Sequence, residues 1–191
     1  MTDWTTLNYV VVDVEGNGKQ PPELVELAVV PIADGIVGEP VSWLVRPPHP
    51  IKQLATAFHG LRTYDVADCP AVAEVAGEVN HALKADALVA HNAHVDVDVL
   101  CRELPGWEPP ETFDTLTLAR RLMPDGDSYK LGSLVERFKL AEGLPDGLRP
   151  HRATYDALVT ARLFVCLATQ ATTLEELRGQ PPNKADEDVL F

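Results

Sequence analysis

Three acidic segments of the chain carry residue types able to do chemistry. The first is Asp13 and Glu15, which close a short, nearly all-apolar run from Asn8 to Val14 and lead at once into Gly16, Asn17 and Gly18. Strand side chains alternate with period two, so both carboxylates point to one face, and the glycines let a ligand approach the backbone closely. That is half of a site for a hard divalent metal. A lone D-x-E is more simply a pair of solvated strand-end charges. Here the preceding run is apolar enough to be buried, and unpaired charge emerging from the centre of a sheet is costly.

The second segment, His91-Asn92-Ala93-His94-Val95-Asp96, directly follows the short apolar run Ala87 to Ala90. In open α/β sheets ligands collect at the carboxyl ends of strands, so Asp96 can reach a ligand held by the first pair. Asp98 lies about 200° round a helix from Asp96, and at most one of the two faces the site. His91 and His94 read as local hydrogen-bonding or capping residues. The third segment is His151-Arg152-Ala153-Thr154-Tyr155-Asp156-Ala157. Five residues span about 140° on a helix, so His151 and Asp156 converge only if His151 sits in the loop before the first turn. Pro150 favours such a loop. Taken alone, His151 would be a helix-start residue and Asp156 an exposed polar position.

The elements that must hold these residues follow from periodicity. Asn8 to Val14, Leu24 to Ile32 and Ile36 to Arg46 read as three strands in an antiparallel opening, with a hairpin at Ala33-Asp34-Gly35. Helices are predicted over Ala71 to Leu83, His94 to Leu104, Thr115 to Met123 with Asp114 as N-cap, and Leu131 to Phe138. Ala87 to Ala90 and Thr112 to Asp114 are short strands. A principal helix after Pro150 carries Ala157, Leu158, Ala161, Leu163, Phe164 and Leu167 inward, and Thr173 to Arg178 adds a further short turn. The result is a mixed-sheet α/β domain over residues 1–178, followed by an acidic flexible tail over 179–191.

At 191 residues, 46% hydrophobic and 24% charged, the composition is globular and excludes disordered, collagen-like and membrane-spanning chains. Lys plus Arg is 16 and Asp plus Glu 29, a net charge of −13, the wrong sign for an extended clamp on duplex nucleic acid. Any polyanion must be held locally. Lys52, Arg62, Arg120, Arg121, Lys130, Arg149 and Arg152 offer a modest track at most. Cys69, Cys101 and Cys166 show no metal or disulfide spacing, and the start has no apolar leader, so a cytoplasmic protein without membrane contact is expected.

Taken together, the three segments resemble the DnaQ-like branch of the DEDD 3′–5′ exonucleases, with a histidine in the third motif (DEDDh). Leu44-Val45-Arg46-Pro47, His59-Gly60-Leu61, Asp114-Thr115-Leu116 with Leu118-Ala119-Arg120, and Tyr129-Lys130-Leu131 extend the likeness over most of residues 8–168. The resemblance implies a ribonuclease H-like fold with Asp13, Glu15, Asp96 and Asp156 as ligands of two Mg2+ or Mn2+ ions, and His151 as general base. It implies release of nucleoside 5′-monophosphates from the 3′ end of single-stranded DNA or RNA. Val14, Gly16, Asn17, His59 and Asn92 become candidate substrate contacts. Many relatives have two threonines where this chain has Gly16 and Asn17, and an aromatic residue at Val95, so sugar preference stays open. The alternatives are an RNA-trimming or short-oligonucleotide hydrolase with the same site, or a non-catalytic, proofreading-type partner-binding subunit. The presence of all four acids and His151 argues against the last. Asp188-Val189-Leu190-Phe191 has a faint likeness to peptides that dock in sliding clamps, a candidate partner contact for the tail.

Overall fold

The computed structural model describes residues 3–171 and 173–179. Apart from Gly179, the expected tail and its clamp-like end lie outside the described residues. The apolar runs become six strands: β1 (Tyr9–Gly16), β2 (Leu24–Ala33), β3 (Ile36–Val37), β4 (Val41–Leu44), β5 (Ala87–Ala90) and β6 (Glu111–Asp114). They form one sheet in the order β3-β2-β1-β5-β6, with β4 also paired to β2. β2 is antiparallel to β1, β3 and β4, whereas β5 runs parallel to β1 and β6 parallel to β5. The helices are α1 (Gln53–His59), α2 (Val72–Ala82), α3 (His94–Glu103), α4 (Thr115–Leu122), α5 (Leu131–Phe138), α6 (Ala153–Ala168) and α7 (Leu174–Leu177).

Two elements differ from expectation. Ile36 to Arg46 is not one strand but two, because Pro31 of β2 has no N–H to offer and the ladder breaks opposite it. Gly38 N–H still donates to the Pro31 carbonyl at 2.8 Å, and a Cβ on Gly38 would meet the Pro31 ring at 2.9 Å. Helix α1 was not legible, since it buries only Ala55 and His59 and leaves Leu54 and Phe58 exposed. Its apolar residues therefore show no inward period.

Alternation along β1 divides the core. Tyr9 and Val11 pack with Ala28, Val30, Ile32 and Phe113 under α4, α5 and α6, while Val10 and Val12 face α2 and α3. Tyr9, Phe113 and Phe164 of α6 form an aromatic knot, with Tyr9 and Phe164 centroids 4.8 Å apart. Fully burying each such side chain is worth roughly 1.5–3 kcal/mol, so this end of the face anchors α6 firmly to the sheet. The same period of two carries Asp13 and Glu15 onto the α6 face beyond the apolar part. α6 ends its buried course there, with its N-terminal turn beside the two carboxylates. Among the described residues no helix is long and apolar enough to cross a membrane, and Cys69, Cys101 and Cys166 are free thiols.

Candidate active site

Asp13 and Glu15 from β1 and Asp156 from the first turn of α6 each offer a carboxylate oxygen, and these atoms all lie within 4.8 Å of one another. Asp96, in the first turn of α3 and 5% exposed, stands against this group instead of within it: its Oδ1 accepts the Val14 N–H at 3.0 Å. Asp98, one residue beyond Val97, is exposed. His151 lies in the loop before α6, as its convergence with Asp156 requires. Its backbone is left-handed, with φ +60°, and its N–H donates to Asp156 Oδ2 at 3.0 Å. The exposed imidazole meets the Phe58 ring edge-on at 6.0 Å between centroids.

The electrostatics are those of a group that could hold a cation. Burial pushes the Asp13 carboxyl well above its usual range, and Asp96, Asp156, Glu15 and Glu26 add to the shift. Burial followed by the neighbouring Asp156, Glu26 and Asp96 raises Glu15 to about 8. Burial raises Asp96 to about 7 against the opposing Val14 N–H. Asp156 rises to about 6, again through burial, with His151 pulling the other way. Such groups cannot all ionise together near neutral pH unless positive charge joins them. The donors are all carboxylate oxygens, which suit hard divalent ions, so the residues fit a metal of the magnesium or manganese class.

The sign of the linkage gives a first prediction. Carboxyls raised in the folded state make it bind more protons than the unfolded chain, from about pH 4 up to the folded values of about 6 to 8. Metal-free stability is therefore lost as pH rises through this window. His59 and His91, which burial pushes down, titrate with the opposite effect, so the comparison should be with Asp13→Asn, in which they are unchanged. The melting temperature of wild type in EDTA should fall relative to Asp13→Asn between about pH 5 and pH 8, by about 2–4 °C per kcal/mol of repulsion. Millimolar magnesium should close the gap. A constant difference between the two proteins would contradict the shared ionisation.

The five residues considered for substrate contact fare differently. Asn17 is fully buried: its amide donates to Glu23 Oε2 at 2.8 Å and the His49 carbonyl at 3.3 Å, and its Oδ1 accepts from Lys19 and Glu23 N–H. His59 is 2% exposed, with Nε2 donating to the Gly16 carbonyl at 3.2 Å and Nδ1 accepting Leu61 N–H at 3.1 Å. The side chains of both are bonded within the protein and shape the end of β1. Gly16 packs on Pro22 so closely that a Cβ would approach it to 2.9 Å. Val14 and Asn92 are half-buried at the site's edge, Asn92 at φ +66° with its N–H on Asp114. His91 has the local role read from sequence, bonded to Thr115 at 2.9 Å, and Asp114 caps α4. His94 is exposed and Ala93, not a histidine, is the N-cap of α3.

The cation track also shrinks. Arg121 donates to the Glu176 and Leu177 carbonyls, and Arg152 forms a two-pronged pair with Glu26 at 2.8 Å for each contact. Glu26 was missed in the sequence, although it is the lone charge in the run Leu24 to Ile32. Phe58 was missed for want of periodicity.

A mixed sheet with carboxylates gathered at the carboxyl end of its central strand defines the ribonuclease H-like class of phosphodiester hydrolases. Comparison with known proteins narrows the class. The exonuclease family (RNase T) profile matches residues 10–164. Exodeoxyribonuclease 10 of Escherichia coli K12 is 39% identical over 168 residues, covering 87% of this chain and 72% of that protein. The 3′–5′ exonuclease DinG of Bacillus subtilis is 32% identical over 180 residues, 91% of this chain but 18% of its own length. A solved structure of exonuclease X with 5′-overhanging duplex DNA superimposes with a TM-score of 0.74 at 35% identity, covering 88% of this chain and 96% of that one. E. coli exonuclease I with a dT13 oligonucleotide shares the fold at 17% identity and a TM-score of 0.66, covering 85% of this chain and 41% of that one. The chain belongs to the RNase T exonuclease family and is a 3′–5′ exonuclease.

Proposed function

We propose that the chain shortens single-stranded DNA from its 3′ end, with Asp13, Glu15, Asp96 and Asp156 holding two divalent magnesium or manganese ions and His151 acting as general base. The convergence of the Asp13, Glu15 and Asp156 oxygens within 4.8 Å carries this reading. When bound, the ions supply positive charge to stabilise the attacking and departing oxygens. His151 accepts the proton of the attacking water, a task suited to an exposed imidazole beside the carboxylates. Attack on the terminal phosphodiester breaks the P–O3′ bond. The last nucleotide leaves as its 5′-monophosphate and the shortened strand keeps a 3′ hydroxyl. Asp96 spends one oxygen on Val14 N–H, which fixes β1 between its two acids, and serves as a ligand beside them.

DNA as the substrate is supported by the likeness to an exodeoxyribonuclease and by the DNA bound to the structural neighbour. The net charge of −13 supports a grip on few nucleotides, with the exposed Phe58 beside His151 as a stacking surface. The test offers 5′-labelled single-stranded DNA, single-stranded RNA, blunt duplex and dinucleotides with magnesium or manganese. A ladder descending from the 3′ end of single-stranded DNA, faster than on the others, is expected. Preferred cleavage of RNA or of dinucleotides would replace the substrate and keep the site.

A further inference from the structure

We propose that Glu26 is a positioning residue for His151, acting through Arg152 and the first turn of α6; the proposal rests on His151 being the general base. Glu26 is 3% exposed and sits on β2 directly opposite Glu15 in the strand register. It shares a face with Asp13 and Glu15. Yet both its oxygens are occupied: Oε2 accepts Arg152 Nε–H at 2.8 Å and Ala153 N–H at 3.2 Å, and Oε1 accepts an Arg152 Nη2–H at 2.8 Å. It stands outside the converging group, whose oxygens come from Asp13, Glu15 and Asp156.

What Glu26 does is cap α6 from another strand. The first N–H groups of a helix have no partner within it, and a side chain at the N-cap normally supplies one. Arg152, the N-cap of α6, has no acceptor to give. Glu26 takes over that task for Ala153 N–H and grips the Arg152 guanidinium with the same carboxylate. On the other side of the turn, His151 N–H closes onto Asp156. His151 is thus suspended between two anchors in a left-handed conformation that an unsupported histidine rarely holds, its ring left exposed. A buried ion pair adds little net stability by itself, so the consequence of this one is geometric. Arg152, with Nε and Nη2 committed inward, is held as a strut and not as a phosphate contact.

Four proteins separate the possibilities: wild type, Glu26→Gln, His151→Ala and the double variant, each measured for kcat and KM on a 5′-labelled oligonucleotide and normalised to folded fraction. Glu26→Gln keeps the shape and one acceptor but loses the charge. Its kcat should fall about tenfold or more, since a misplacement near 1 Å can cost about 10²-fold, while KM stays nearly constant. In the His151→Ala background the same change should alter kcat by less than about twofold, the non-additivity expected of residues acting as a unit. Arg152→Lys keeps the charge without the two-pronged fork and should repeat the pattern, serving also if Glu26→Gln does not fold. In metal-free protein, amide exchange at Ala153 should accelerate in Glu26→Gln. Wild-type kcat in both Glu26→Gln and Arg152→Lys, unchanged Ala153 exchange, or a loss carried in full into the His151→Ala background overturns the proposal and leaves His151 as base. A His151→Ala protein as fast as wild type overturns the base and the positioning role together.

Discussion

Asp13→Asn and Asp156→Asn each slow release of the 3′-terminal nucleotide by more than about 100-fold, beyond the 10–100-fold cost of losing an outer partner of a metal ligand. Both oxygens sit in the converging group, so each substitution removes a donor and a charge at once. The same substitutions raise the melting temperature of the metal-free protein, because burial and the neighbouring carboxylates, Asp156 among them, all oppose a charge on Asp13. Function here is kept at a cost in stability, the usual trade-off of a crowded acidic site. Steady-state release from a labelled oligonucleotide and calorimetry on the metal-free variants check the two halves. Wild-type turnover in either variant removes that residue from the site, and a lowered melting temperature removes the repulsion argument.

His151→Ala lowers kcat by about 10²- to 10⁴-fold, the range of general-base assistance, while leaving metal affinity close to wild type. The separation follows from geometry. His151 touches Asp156 through its backbone N–H, which alanine retains, and its exposed ring carries no core packing. Stability should change by no more than about 0.5 kcal/mol, as for other surface substitutions. Isothermal titration with manganese and single-turnover hydrolysis, run on the same preparation, measure both. Full activity would return His151 to the role of a helix-start residue, and lost metal affinity would make it a ligand.

How much of this was legible without coordinates depends on the element. β1 was legible because its residues alternate between two buried faces up to Val12 and then turn acidic, which placed Asp13 and Glu15 on a shared side before any neighbour was known. His151 and Asp156 were not distinctive on their own: Pro150 favours a loop before α6 that lets them converge, and only the family resemblance gave them roles. Asp96 is read from sequence as a site residue by its place after β5, but its bond to Val14 N–H depends on how α3 meets β1 and leaves no local signature. The break between β3 and β4 follows from a proline on the neighbouring strand, a pairing that sequence order does not reveal. Asn17 and His59 are candidate substrate contacts only through the family resemblance, and their bonds to Glu23, His49, Gly16 and Leu61 leave no signal in the sequence. Glu26 left a signal, a lone acid in a buried strand, whose meaning needed Arg152, 126 residues away, to become clear.

Anomalous diffraction from crystals grown with manganese measures directly whether these carboxylates are a metal site. Density should appear against Asp13, Glu15 and Asp156, with Asp96 alongside, and should weaken in Asp156→Asn crystals grown identically. Manganese bound elsewhere on the molecule, with these carboxylates bare in active protein, would contradict the assignment of the catalytic centre.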